Sequence, residues 1–180
     1  MGLAVAHYTR RDYDRAVETL CQAIDVDPAD LRPMTFLAQM YDISPGMAEE
    51  VTRRFAKFVQ LYPNNALAQL YYGLSLWKQG QADMATVENR LKAALALDPG
   101  LTEAHLQLGK LYEQEHKDAE AIHAYRAALR LDPAIESAHY RLARLYQRSG
   151  QNVSARKELE IYQRLHQQKA APLTVKPDAP

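Results

Sequence analysis

Apolar residues recur along this chain at the three- and four-residue spacings of one helix face. The run Ala121-Ile122-xx-Tyr125-xx-Ala128-Leu129 is the clearest case, because that spacing gathers the apolar side chains on one stripe of a helix. It stops at Asp132-Pro133, and related runs stop at Asp27-Pro28, Tyr62-Pro63 and Asp98-Pro99. Proline disfavours helical geometry in the residue before it, so each of these dipeptides predicts the end of a helix. The prolines lie 35, 36 and 34 residues apart. A period in that range predicts a stack of repeated helical pairs.

Within one period, Leu108, Gly109 and Tyr112 mark a first helix, and Ala121, Tyr125 and Ala128 a second. Gly109 and Ala121 are small where two antiparallel helices must touch, while Leu108, Tyr112 and Tyr125 fill the space beside them. This pattern resembles the tetratricopeptide repeat family. The next unit repeats it as Leu142-Ala143-xx-Tyr146, Gly150, Ala155 and Leu159, with Gln167 in place of the closing proline, as suits a terminal cap. Upstream, Tyr72-Gly73-xx-Leu76, Leu91 and Ala94 fit with about two extra residues near the turn. Before them, Leu37-Ala38-xx-Tyr41 precedes Val51, Phe55 and Phe58. These are larger than the family's usual alanines, which predicts wider packing. Ser44-Pro45 followed by Glu49 and Glu50 reads as a helix start with a serine cap and acids near the positive end. At the front, Leu3-Ala4 and His7, then Tyr13, Ala16, Leu20 and Ala23, match a repeat whose first helix lacks its opening residues. The chain is thus expected to begin inside a helix, as a fragment of a longer protein would.

The resemblance implies an all-α fold, a right-handed α-solenoid of antiparallel helix pairs with a concave side. Five repeats are expected, at roughly 1–29, 30–64, 65–100, 101–134 and 135–168, the first of them truncated. The segment 169–180 holds three prolines and little to bury, so a disordered tail is expected there.

In the family the first helix of each pair lines the concave side, so ligand-facing residues are those opposite its packing face. On the third pair these are Leu67, Leu70, Tyr71, Leu74 and Trp77. A helix apolar nearly all round is either fully buried or lines a binding site. On the fourth pair the packing set includes Ala104 and His105, leaving Glu103, Leu106, Lys110 and Glu113 as a mixed, solvated patch. On the fifth, Tyr140, Arg141, Arg144 and Arg148 stack at helical spacing beside Ser137 and Gln147. Arginine's planar fork suits carboxylates, and tyrosine and tryptophan are frequent interface anchors. The candidate partner-binding set is therefore Leu67, Leu70, Tyr71, Leu74, Trp77, Leu106, Lys110, Tyr140, Arg141, Arg144 and Arg148. The expected ligand is a peptide or helix with apolar anchors and acidic groups. Some relatives hold a terminal carboxylate with lysines and asparagines on successive first helices. The matching positions here, Leu70, Leu74, Leu106 and Lys110, include no asparagine, which argues against that clamp.

Lys plus Arg and Asp plus Glu each number 22, so no global field draws in nucleic acid and partner choice falls to local patches. The single cysteine, Cys21, cannot form an internal disulfide. No stretch has the length and hydropathy of a membrane span, and residues 1–10 lack a signal-peptide pattern. This favours the cytoplasm only as far as the beginning of the chain is its true start. No phosphate-binding glycine loop, zinc-binding pattern or serine elbow occurs. His105 and His139 occupy equivalent packing positions, and His116 and Glu120 flank a turn rather than sharing a helix face. No catalytic residue and no cofactor are expected. The function expected from the resemblance is a protein-interaction scaffold. The alternatives are the recruiting region of a larger enzyme, such as a transferase, and a module that associates with its own copies.

Overall fold

The computed structural model describes residues 1–27, 30–40, 45–80 and 82–170. Pro28, Tyr41 and Ser44, and residues 171–180 of the expected tail, lie outside them. Among the described residues the chain forms ten α-helices and one 3-10 turn. These are α1 (Gly2–Thr9), α2 (Tyr13–Val26), α3 (Leu31–Met40), the turn Pro45–Met47, α4 (Ala48–Leu61), α5 (Ala66–Gln79), α6 (Met84–Leu97), α7 (Thr102–Gln114), α8 (Asp118–Leu131), α9 (Glu136–Arg148) and α10 (Asn152–Ala170). They divide into two compact units, residues 1–101 and 102–180.

The Asp-Pro signals end helices for a reason beyond proline geometry. In α6 and α8 the aspartate is the C-cap residue, with its N–H bonded back to Ala94 and Ala128. Its carboxylate then accepts the N–H two residues on, from Gly100 and Ala134, both at 2.9 Å. The aspartate thus closes the turn that proline opens. Helix starts use the same chemistry: Asn65 accepts from the Ala68 N–H at 2.9 Å, and Asp83 from the Thr86 N–H at 2.7 Å. Hydrogen bonds from Thr86 hold the Asp83 carboxyl below its ordinary pKa. At the start of α4 the expected serine cap, Ser44, lies outside the described residues. The N-cap of α4 is Met47, the last residue of the 3-10 turn, which makes no side-chain cap hydrogen bond, and Glu49 and Glu50 occupy the first turn as expected.

In the first unit α1 packs on α2, α2 on α3, α4 on α5 and α5 on α6. One apolar cluster, including Ala16, Leu20, Met34, Leu37, Phe55 and Phe58, runs through its earlier helices. Val51, Phe55 and Phe58 of α4 belong to the same cluster, and Phe55 also meets Tyr71 of α5 at 5.8 Å between ring centroids. The two additional residues of the third pair divide between helix and turn. The α5 helix has 14 residues against 13 in α7, and four residues rather than three precede the next helix.

In the second unit α7 packs on α8, α8 on α9 and α9 on α10. Gly109 sets how closely the first two approach, because a Cβ there would lie 2.6 Å from the Tyr125 ring. Tyr125 is fully buried and cannot move aside. Gly73 plays the same part against Arg90 Cβ, at 2.8 Å. The last helix extends through Lys169 and Ala170, which were expected in the tail.

Gly109→Ala should lower the melting temperature, because overpacking costs about 1–3 kcal/mol while the gain in helix propensity is at most about 1 kcal/mol. Gly2→Ala, with nothing within 4 Å of the added Cβ, should leave it unchanged or raise it. Thermal denaturation followed by circular dichroism compares the two.

Candidate functional site

The candidate residues of the first unit all lie on α5, which sits between α4 and α6. Leu70 is 1% exposed and belongs to the core, so it cannot meet a ligand. Leu67 and Tyr71 are half-buried and pack against the core cluster. Leu74 and Trp77 are also half-buried and keep part of their surface in solvent. The apolar circumference of α5 thus has two uses: one side fills the core, and Leu74 and Trp77 remain at the surface.

The second unit revises the charged half of the expected site. Glu113, expected on a solvated patch, has a side chain only 12% exposed. Its Oε2 accepts from the Tyr125 hydroxyl at 3.1 Å and from Arg141 Nη1 at 2.8 Å. Burial is the main reason the Tyr125 phenol is held above its ordinary pKa; the Arg141 charge opposes the shift and Glu113 adds to it. Arg148 likewise reaches back to the start of α8, with Nη2 and Nε donating to the two Asp118 oxygens at 2.6 and 3.1 Å. Arg141 and Arg148 therefore tie α9 to the preceding pair rather than waiting for a ligand carboxylate. The sequence pattern missed this because their partners lie 28 and 30 residues away.

Arg144 is the arginine of that patch left exposed without an ion pair among the described residues. Its guanidinium sits over the Tyr140 ring at 6.0 Å, a cation–π arrangement. Tyr140 is 43% exposed and its ring lies 5.3 Å from that of Tyr162 on α10. On α7, Leu106 and Lys110 are half-buried.

His139 is buried and fully engaged, with Nδ1 2.6 Å from Glu158 and Nε2 3.0 Å from the Pro133 carbonyl. His116 stands in the turn after α7 at φ 57°, which keeps it off any helix face shared with Glu120. Burial pushes the Cys21 thiol up from 9.0 to about 11, against the lowering effect of Arg54. That leaves it protonated and unreactive near neutrality. Among the described residues no group of three or more His, Cys, Asp or Glu could hold a metal ion, and no helix is long and apolar enough to cross a membrane.

Comparison with known proteins agrees with this architecture. Tetratricopeptide repeat models match residues 102–135 and residues 1–30. A crystal structure of MamA is similar over 94% of this chain and 98% of its own, with a TM-score of 0.74 at 22% identity. The PilF protein of Pseudomonas aeruginosa is similar over 91% of this chain and 73% of its own, with a TM-score of 0.71 at 23% identity. YrrB, described as a TPR protein with an unusual peptide-binding site, gives 0.62 at 21% identity over 92% of this chain and 84% of its own. At these identities the likeness is one of fold. No curated protein matches the chain in sequence.

Arg141→Met should destabilise the second unit by about 1–3 kcal/mol, because Glu113 loses a charged partner while nearly buried. Arg148→Met, which breaks a more exposed pair, should cost about 0–1 kcal/mol. Urea denaturation of both variants measures the difference.

Proposed function

We propose that this chain, a tetratricopeptide repeat protein, uses the solvent-facing sides of its first helices to hold peptide segments of partner proteins. The observation that carries this reading is the surface placement of Leu74 and Trp77 on α5, and of Tyr140 with Arg144 on α9. These side chains are not consumed by the core. Large aromatic side chains bury much area at little entropic cost, which suits them to anchoring a partner. A repeat stack also displays many such positions on rigid helices without catalytic machinery. The peptide-binding site in the description of YrrB supports the same class of ligand.

The preferred ligand on α9 is a peptide with an apolar anchor followed by a carboxylate. The anchor would pack on Tyr140 and the carboxylate would pair with Arg144. On α5 the ligand contact is apolar, through Leu74 and Trp77, with Leu67 and Tyr71 supporting it from the core side. Leu106 and Lys110 offer a third, weaker contact on α7.

The test is fluorescence anisotropy with short synthetic peptides carrying leucine or phenylalanine anchors and glutamates, against versions with lysine in place of glutamate. The pair Tyr140→Ala and Arg144→Glu should weaken the best acidic peptide roughly tenfold or more and abolish its advantage over the lysine version. Trp77→Ala should weaken peptides whose binding depends on the apolar anchor alone. Unchanged affinity in folded variants would remove these faces from the binding site.

A further inference from the structure

The last turn of α10 lies beside the first turn of α9, because Glu136 accepts from His166 at 2.6 Å and from Lys169 at 3.1 Å. Between these turns is a cleft of about 620 Å³, lined by Ile135, Ser137 and Tyr140 at the start of α9 and by Tyr162 and Lys169 on α10. The Tyr140 and Tyr162 rings stand 5.3 Å apart in it. The charged groups at the cleft, Glu136 and Lys169, already pair with each other. An occupant therefore needs apolar surface and no charge of its own, since an unmatched charge would be costly to bury there.

The sequence that follows α10 has that character. Residues 171–180 lie outside the described residues, and their first five carry no charged side chain. Leu173 is four residues beyond Lys169, so an extended chain spans at most about 13 Å between it and a residue that already lines the cleft. Pro172 and Pro177 disfavour helical geometry at Ala171 and Lys176 and bias them towards an extended backbone. Two-residue spacing puts Leu173 and Val175 on one side of an extended chain and Thr174 on the other. Segments restricted by proline suit aromatic-lined grooves, because they have less conformational entropy to lose on docking.

We propose that residues 171–175 fold back into this cleft, with Leu173 and Val175 packed against Tyr140 and Tyr162, and cover the α9 face until a partner peptide displaces them. This rests on the reading of Tyr140 as a peptide anchor and adds the regulation of that site. A short connection gives the attached segment an effective concentration in the millimolar range. Even a weak apolar contact then competes with a partner.

The contact is read in the full chain by nuclear magnetic resonance, with a nitroxide attached at Thr174→Cys in a Cys21→Ala background. The amide signals of Tyr140 and Tyr162 should broaden, and adding Leu173→Asp with Val175→Asp should restore them. In fluorescence anisotropy the chain carrying those two aspartates should bind the acidic peptide with an apolar anchor at least about threefold more tightly than the wild type. Its melting curve should match the wild type, because both substitutions lie beyond the last helix. Absent broadening, or equal peptide affinity in the two chains, overturns the proposal. So does broadening in nitroxide-free chains mixed with nitroxide-bearing ones, since the segment would then reach a second copy. If no peptide binds even the double variant, the peptide reading of α9 fails, and the broadening still decides the fold-back by itself.

Discussion

Every feature of this protein depends on how closely the two helices of a pair can approach. A lone amphipathic helix cannot bury its apolar stripe, and a pair buries only part of it, so each pair is stable through its neighbours. Contact at the required distance needs a missing side chain on one helix and a filling one on the other. Gly109 against Tyr125 meets that need in the second unit, and Gly73 against Arg90 meets it in the first. Once the distance is fixed, the residues that face inward are fixed too. The rest of each helix surface is then free to carry other chemistry.

Polar groups add precision to this apolar arrangement. Glu113 receives both the Tyr125 hydroxyl and the Arg141 guanidinium, joining three helices through one carboxylate. Asp118 and Arg148 repeat the connection nearer the surface. The second unit thus spends two of the three arginines of α9 on internal order. The remaining one, Arg144, carries the positive charge that a partner would meet on that face.

The periodic part of this structure is legible in the sequence because packing imposes it locally. The Asp-Pro dipeptides, the glycines and the alanines each report contacts within a helical pair, and the helix ends fall where they indicate. The candidate site was only partly legible. That Leu70 lies in the core and Leu74 at the surface depends on where α4 and α6 sit against α5, which the stripe of apolar residues on α5 alone does not reveal. The same holds for Arg141 and Arg148, whose partners lie in the preceding pair. Lys169 was assigned to a tail because residues 169–180 hold three prolines and little to bury, whereas its bond to Glu136 holds it in a continuing helix.

The proposed role of this fold is to present binding surfaces for partner peptides on its helices. Hydrogen–deuterium exchange of the full chain, with and without a saturating acidic peptide with apolar anchors, tests it most directly. Exchange should slow in peptides covering Ala66–Gln79 or Glu136–Arg148 and stay unchanged in the helices whose exposed faces are polar. Protection confined to α2 or α8, or none under saturating conditions, would contradict it.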